Sequence, residues 1–158
     1  MSVELLVKRD SVVQYMVRLA ALLDDQKYDE FVAEFTEDGS YRLIPRENHD
    51  RGLPTCIIDD TRDRLIYRSG LISTQWHHGH FRETRMLSNF DVEFPGADAA
   101  QAKANFAVHQ TDAEGETRLH MVGRLEDSLV MQEGRWRIRR RFAILETFKP
   151  TEVIVYPP

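Results

Sequence analysis

Cysteine is nearly absent from this chain, since Cys56 is the only one among its 158 residues. A single thiol excludes an internal disulfide and any metal site built from several thiolates. Because disulfides belong to oxidising compartments, their exclusion fits a reducing setting. The sequence therefore predicts a cytoplasmic protein.

Long hydrophobic runs are also missing. No apolar stretch approaches the roughly 20 residues that a membrane-spanning helix needs, and residues 1–10 do not follow the pattern of a secretion signal. The net charge of −5 at pH 7 disfavours binding to nucleic acid or to an anionic membrane. Glycine-rich phosphate loops and Gly-x-Ser-x-Gly elbows do not occur. We expect neither a nucleic-acid nor a membrane partner.

What is present is ordinary for one globular domain. Hydrophobic residues make up 42% of the chain and charged residues 30%, and this length can bury a core without disulfides or metals. No repeat or linker interrupts it. We expect a single domain over residues 1–158.

The first third of the chain has helical periodicity. Ser11 can cap a helix whose apolar side chains recur at three- and four-residue steps up to Leu23, and Leu5 and Leu6 could extend it backwards. The other elements predicted here are a second short helix from Tyr28 to Phe35, a turn at 37–39, a short strand from Ser40 to Pro45, and a third helix capped by residues 59–61.

The second half has the two-residue alternation of half-buried strands. The predicted strands begin at Met86, at Ala102, at Thr117 (with a bend at Gly123) and at Trp136, and the turns between them lie at 95–96, 112–116 and 133–134. Helices followed by hairpin-linked strands are typical of an α+β fold. We expect a curved, mixed but mainly antiparallel sheet that wraps over the helices as a cone with an interior pocket.

Four arginines alternate with apolar residues along the last predicted strand, namely Arg135, Arg137, Arg139 and Arg141. Strict alternation would place all four guanidinium groups on one face of the sheet, with Arg140 on the other. Two interpretations stay open: a solvated face paired with carboxylates such as Glu126 and Asp127, and a subunit interface. Nucleic-acid binding is disfavoured because the chain is acidic and has no matching aromatic platform.

Three histidines, His77, His78 and His80, crowd into the stretch Trp-His-His-Gly-His. A mononuclear metal site needs three or four ligands that converge on one point. Gly79 disfavours a helix there, and an extended segment would point His77 away from the other two. A Rieske iron–sulfur centre takes two cysteines and two histidines, which this chain cannot supply. We expect an exposed or interface segment and no metal site.

Candidates for acid–base catalysis inside a cone are Tyr41, Asp59, Asp60 and His109. Each residue type is more common as a turn, cap or surface residue, and nothing in the spacing makes two of them converge. We expect this chain to have no catalytic and no cofactor-binding residue. The alternative is a stand-alone isomerase or dehydratase with a pocket acid–base pair.

Residues 41–54 read Tyr-Arg-Leu-Ile-Pro-Arg-Glu-Asn-His-Asp-Arg-Gly-Leu-Pro. This segment resembles the Tyr-Arg-x-x-Pro-Arg-Glu-Asn motif of the small, or beta, subunits of Rieske-type aromatic-ring-hydroxylating dioxygenases, especially those of the salicylate and anthranilate type. Weaker similarities lie at 63–65, 76–89 and 153–157. The chain departs from the family where His-x-x-Tyr-Tyr-x-x-His is common, because Phe81 stands at an aromatic position and Arg85 replaces the second histidine.

The resemblance implies a cystatin-like, NTF2-like cone and a non-catalytic structural role in the catabolism of aromatic compounds. It implies a catalytic alpha subunit as partner, which holds the Rieske 2Fe-2S cluster and the mononuclear iron, and a beta trimer within an α3β3 assembly. Arg46, Glu47 and Asn48 would lie at a subunit contact, or else lock a loop within the chain. Interface histidines would make assembly sensitive to pH.

Overall fold

The structure is a computed structural model, and it describes residues 2–74, 81–147, 154 and 157–158. Its first element is helix α1, Val3–Asp24, which is capped by Ser2 through a hydrogen bond from Leu5 N to Ser2 Oγ of 3.2 Å. The predicted cap at Ser11 is wrong. Ser11 lies inside the helix, where its hydroxyl donates to Lys8 O and accepts from Trp136 Nε1.

Three shorter helices follow: α2 at Tyr28–Ala33, α3 at Arg46–Asp50 and α4 at Arg62–Thr74. The predicted second helix is too long at its end, because Phe35 already belongs to the first strand. The predicted third helix is confirmed as α4, which begins directly after residues 59–61, and those residues themselves form the strand β2.

Among the residues that the structure describes, six strands form one sheet, in the order β2-β1-β6-β5-β4-β3. Their bounds are β1 Phe35–Pro45, β2 Ile58–Thr61, β3 Arg82–Gly96, β4 Ala99–Thr111, β5 Thr117–Gln132 and β6 Arg135–Leu145. All neighbours pair antiparallel except β1 and β6, which are parallel. The predicted α+β order and the mixed, mainly antiparallel sheet are confirmed.

The core lies between the helices and one face of the sheet. Alternate residues of β4, such as Ala102, Ala104, Phe106 and Val108, point toward it and are buried. Helix α1 runs along the edge strand β3, where Arg9 donates to Phe90 O. In the described part of the chain, no helix is both long enough and apolar enough to cross a bilayer.

Strand β1 contains a wide bulge opposite β6. Phe35 pairs with Ile138 and the next pair is Ser40 with Arg140, so residues 36–39 face only Arg139. The predicted turn at 37–39 is therefore a looped-out part of a strand. Gly39 is needed there, since a Cβ atom at this position would lie 2.7 Å from Thr36 O.

Strand β6 has an extra residue at the same level. Leu129 of β5 pairs with Ile138 and the adjacent Ser128 with Arg140, which leaves Arg139 without a partner across the ladder. An extra residue reverses which side chains face the core. Before it Trp136 and Ile138 are buried, and after it Arg141, Ala143 and Leu145 are. The prediction that the four odd-numbered arginines share one face is wrong at Arg141.

Candidate functional site

The interior of the cone holds a buried ion pair where an enzyme of this shape would need an open polar pocket. Arg141 Nε and Nη2 donate to the two carboxylate oxygens of Asp127 at 2.8 and 2.6 Å. Both residues are 1% exposed. Because two parallel N–H groups of the guanidinium meet the two carboxylate oxygens, the pair is bidentate and the two charges neutralise each other.

Two tyrosines pack beside this pair. Tyr15 donates its hydroxyl to Glu34 at 3.2 Å, whereas the buried hydroxyl of Tyr41 has no hydrogen-bond partner among the described residues. Burial raises the pKa of both phenols above the ordinary value of 10.0, and the carboxylate of Glu34 adds to the rise for Tyr15. Both phenols stay protonated at neutral pH.

A second buried cluster is centred on Arg85, whose side chain is 2% exposed. Its Nη1 donates to Asp24 at 2.8 Å, and its Nη2 donates to Glu83 and to the carbonyl oxygen of Pro157, both at 2.7 Å. Asp24 also accepts from the backbone N–H of Arg85. The cluster ties α1 and β3 to the end of the chain.

Two of the four candidates for catalysis lie side by side, because Tyr41 on β1 pairs with Asp60 on β2 and both side chains are buried. Tyr41 points into the core, and Asp60 is buried but held by Arg68 Nε at 2.7 Å. Asp59 is exposed and pairs with Arg42, while His109 lies on the outer face of β4, opposite in parity to Val108. Tyr41 and Asp60 form no hydrogen bond with each other, since Arg68 holds Asp60 and the Tyr41 hydroxyl has no partner among the described residues. Asp59 and His109 lie on the opposite faces of their strands and do not join them.

The Pro-Arg-Glu-Asn segment forms the short helix α3 and a clasp between strands. Arg46 Nε donates to Asp50 at 2.8 Å and its Nη1 donates to Glu146 just beyond β6. Asn48 Nδ2 donates to Thr55 O at 2.9 Å. The hydrogen bond from Arg46 holds the pKa of Asp50 below its usual range, with His49 adding to the effect. These contacts show an intrachain lock, and the same side chains line an open groove of about 490 Å³.

The remaining arginines of β6 lie at the surface beside the β1 bulge. Arg137 is 3.8 Å from Glu34 and Arg139 is 3.5 Å from Asp38, whereas Arg135 is exposed and has no ion pair with a described residue. Arg135 and Arg137, together with Arg62, line a groove of about 760 Å³. The interface role of Arg135, Arg137 and Arg139 stays a prediction, but the guanidinium of Arg141 is committed to Asp127.

His77, His78 and His80 lie outside the described residues, so their predicted interface role stays a prediction. Within the ranges that the structure describes, no group of three or more His, Cys, Asp or Glu side chains could hold a metal ion.

Sequence reasoning named Asp127 as a partner for the arginines of the last strand but placed the pairing on a solvated face, and it missed the cluster around Arg85. The signal for Asp127 was available, because Met121, Gly123, Leu125 and Leu129 share its parity on β5 and are buried. No comparable signal placed Arg141, because the residue that shifts the parity of β6, Arg139, is defined by the pairing with β5.

Comparison with known protein families identifies the family of this chain. The model of the SnoaL-like domain matches residues 4–142, which is most of the chain. The chain belongs to the SnoaL-like domain family.

Relatives of this SnoaL-like chain are named as oxygenase subunits. It is 26% identical over 137 residues to the anthranilate 1,2-dioxygenase small subunit of Burkholderia cepacia, covering 85% of this chain and 84% of that one. It is 22% identical to the terephthalate 1,2-dioxygenase terminal oxygenase component subunit beta 2 of Comamonas sp, covering 96% and 99%. The resemblance to dioxygenase beta subunits is confirmed.

Solved structures agree on the fold. A protein of Novosphingobium aromaticivorans, assigned as the beta subunit of an aromatic-ring-hydroxylating dioxygenase, superposes with a TM-score of 0.83 at 24% identity, covering 96% of this chain and 97% of that one. A protein of the same organism assigned as a scytalone dehydratase reaches 0.72 at 19% identity, covering 97% and 93%. The predicted NTF2-like cone is confirmed.

Proposed function

We propose that this chain is the non-catalytic beta subunit of a multicomponent Rieske-type aromatic-ring-hydroxylating dioxygenase, in which it supports assembly of the catalytic alpha subunit. The observation that carries the proposal is the match to the anthranilate 1,2-dioxygenase small subunit, which covers 85% of this chain and 84% of that one. In this proposal the alpha subunit holds the Rieske cluster and the mononuclear iron. Three alpha and three beta chains form the complex, in the cytoplasm.

The interior of the cone supports a structural role. A substrate pocket with a general acid and base needs polar groups that face open space. Here Arg141 and Asp127 fill the interior and bind each other. Burial raises the pKa of Tyr41, the candidate nearest to them, so its phenol stays protonated at neutral pH and does not accept a proton. The alternative of a stand-alone isomerase or dehydratase is therefore less favoured.

Co-expression with the cognate alpha subunit tests the proposal. We expect a brown, iron-containing complex that hydroxylates an aromatic acid when a reductase supplies electrons. Light scattering should give the mass of three alpha and three beta chains. The chain purified alone should be colourless and inactive. Turnover by the chain alone, or an active alpha subunit that never binds it, would overturn the proposal.

The clasp at Arg46 offers a test of where the alpha subunit binds. We propose that the outer surface of α3, with Arg46, Glu47 and Asn48, contacts another subunit while its inner bonds lock the chain. Glu47→Ala should weaken co-purification with the alpha subunit, because Glu47 bonds within the described residues only to Arg51 on its own helical turn. An unchanged complex would restrict the motif to the intrachain lock.

A further inference from the structure

Strand β2 forms one edge of the described sheet. It pairs with β1 on one side, and no described strand lies on its other side. Helix α1 runs along the opposite edge, β3, where Arg9 donates to Phe90 O. An open strand edge presents backbone N–H and C=O groups that another strand can pair with. A partner chain can therefore extend the sheet at β2.

Helix α4 presents a second face beside this edge. Its first face points to the core and contains the buried Leu65 and Ser69. Another side of the helix carries four residues at the spacing i, i+3, i+4 and i+7, namely Arg64, Tyr67, Arg68 and Leu71. Residues at this spacing share one face, and together with residues 57–60 they line a groove of about 510 Å³. A groove between a helix and a strand edge suits an extended peptide that adds a strand to the sheet.

Large apolar side chains at this groove are open to solvent. Ile57 is 45% exposed and Tyr67 is 70% exposed. Leu53 and Ile66, close to them in the chain, are exposed as well. Tyrosine is enriched at protein interfaces, since its ring supplies apolar area and its hydroxyl supplies a hydrogen bond. A partner that covers these side chains removes apolar area from water, which stabilises the complex.

Of the four charged residues that line the groove, Arg64 alone has no ion pair with a described residue. Asp60 is bound by Arg68 Nε at 2.7 Å, and Asp59 pairs with Arg42 at 3.1 Å. The Nη1 of Arg64 makes only a long hydrogen bond of 3.4 Å, to Asp59 O. Because its planar fork can bind a carboxylate bidentately, the groove favours a peptide that carries an acidic side chain.

The groove is continuous with both surfaces proposed as subunit contacts. Ile57 lines it and also lines the groove of the Arg46 clasp. At the other end of β2, Thr61 is followed directly by Arg62, which lines the groove of the β6 arginines. A single partner that reaches both of those surfaces therefore passes along the open edge of β2.

We propose that the edge of β2 and the outer face of α4 are the docking site for an extended segment of the alpha subunit, which adds a strand to this sheet. The segment brings apolar side chains to Ile57 and Tyr67 and a carboxylate to Arg64. Its docking joins the Arg46 clasp and the β6 arginines into one interface. This inference rests on the proposed function, because that function supplies the alpha subunit as the partner.

Hydrogen–deuterium exchange, measured residue by residue, tests the strand addition. The amides of residues 58–61 that do not bond to β1 should exchange at least tenfold more slowly in the complex with the alpha subunit than in the chain alone, because pairing protects them. The turn at 112–116, which joins β4 and β5, is the control and should exchange equally in both. An assembled complex with unchanged exchange at 58–61 overturns the docking site and leaves the proposed function intact. A chain that never binds the alpha subunit contradicts both.

A charge reversal tests the role of Arg64. Arg64→Glu should raise the Kd for the alpha subunit at least tenfold, whereas Lys103→Glu, the same change of charge on β4, should leave the Kd within about twofold. Circular dichroism checks that both variants keep the fold. If Arg64→Glu alters the fold, Tyr67→Ser decides, because it removes an exposed ring from the groove and should also weaken binding. Equal Kd values for the groove variant and the Lys103→Glu control would reject the docking site.

Discussion

Arg141 and Asp127 are removed from water almost completely, at 1% exposure each. Taking two charges out of water is expensive, and the pair is retained only because each guanidinium bond meets a carboxylate oxygen. The pair fills the interior of the cone without contributing much net stability of its own. Replacing both residues by apolar ones should therefore cost less stability than removing only one of them.

We predict that Asp127→Ala lowers the free energy of unfolding by about 3–5 kcal/mol, because it leaves a buried arginine without its counter-charge. The double variant Asp127→Ala, Arg141→Met should lose much less than the sum of the single changes Asp127→Ala and Arg141→Met. Urea denaturation of the four proteins in the cycle measures both effects. A loss below about 1 kcal/mol for Asp127→Ala would contradict this account of the pair.

The buried phenols predict how stability depends on pH. The folded-state pKa values of Tyr15 and Tyr41 are raised above the ordinary 10.0, so above pH 10 only the unfolded chain releases these protons. Stability should be constant with respect to these groups below pH 10 and fall as the pH rises further. Denaturation from about pH 9 to about pH 11 measures the fall.

The variant Tyr41→Phe gives the matched control for the pH effect. Its fall in stability above pH 10 should be shallower, since one titrating group is gone. At neutral pH it should be as stable as the native chain or more so, because the buried Tyr41 hydroxyl has no partner among the described residues and costs free energy. A steeper alkaline fall would show that other groups dominate.

At the scale of single residues, sequence alternation places side chains only while a strand stays regular. It could have placed Asp127 inside, because β5 keeps its parity from Met121 to Leu129. It could not place Arg141, because Arg139 inserts one residue and reverses the parity of the rest of β6. The bulge depends on pairing with β5 and β1, and a single-strand pattern does not contain that information.

The elements of this fold depend on glycine at one crowded crossing. Gly123 of β5 lies between neighbouring strands, where an added Cβ would be 2.6 Å from Phe106 Cζ and would also collide with the carbonyl oxygen of Ile144. Both neighbours belong to paired strands and have little freedom to move. The position therefore excludes even the smallest side chain.

We predict that Gly123→Ala lowers the free energy of unfolding by about 1–3 kcal/mol through overpacking. Gly70→Ala is the matched control, because Gly70 lies on the exposed side of α4 with no atom within 4 Å of an added Cβ. There the change should stabilise by about 0.5–1 kcal/mol through helix propensity. Thermal unfolding compares the two, and shifts of the same sign would contradict the packing argument.

Element type was more predictable than element boundary. Apolar periodicity identified α1 and the four strands of the second half, whose signals extend over long segments. Residues 59–61 carry side chains that favour a helix cap, yet they form β2 because β1 offers them an antiparallel partner. The strand β2 therefore depends on its pairing with β1, and the local sequence alone does not contain this information.

On the scale of the whole molecule, the exposed arginines of β6 offer an assembly surface beside the β1 bulge. Arg135 has no ion pair with a described residue, and Arg139 has only a 3.5 Å contact to the exposed Asp38. Partly free guanidinium groups next to a groove can form bidentate pairs with the carboxylates of a partner. This contact is part of the proposed function.

We predict that Arg135→Glu, Arg139→Glu weakens binding to the alpha subunit at least tenfold, which corresponds to about 1.4 kcal/mol. Titration by fluorescence anisotropy measures the affinity. Lys103→Glu is the control, because it reverses an exposed charge on β4, away from this groove. Equal effects of the two variants would mean that net charge, rather than this surface, governs binding.

For the subunit interface, the sequence predicted only candidate residues, namely the arginines of β6 and the Pro-Arg-Glu-Asn segment. A subunit contact depends on the complementary surface of a partner, which one chain does not encode. The Pro-Arg-Glu-Asn segment was found from its similarity to a family, and the structure then gave its intrachain bonds.

The parallel pairing of β1 with β6 has a consequence for biosynthesis. Residues 35–45 are made early, but their neighbour across the ladder, β6, is the last of the described strands to leave the ribosome. Until it does, nascent β1 and β2 have no larger sheet to join and expose an open row of backbone amides. Translation that stops just before β6 should therefore leave an aggregation-prone intermediate with unpaired strand edges, even when all the other strands have been made.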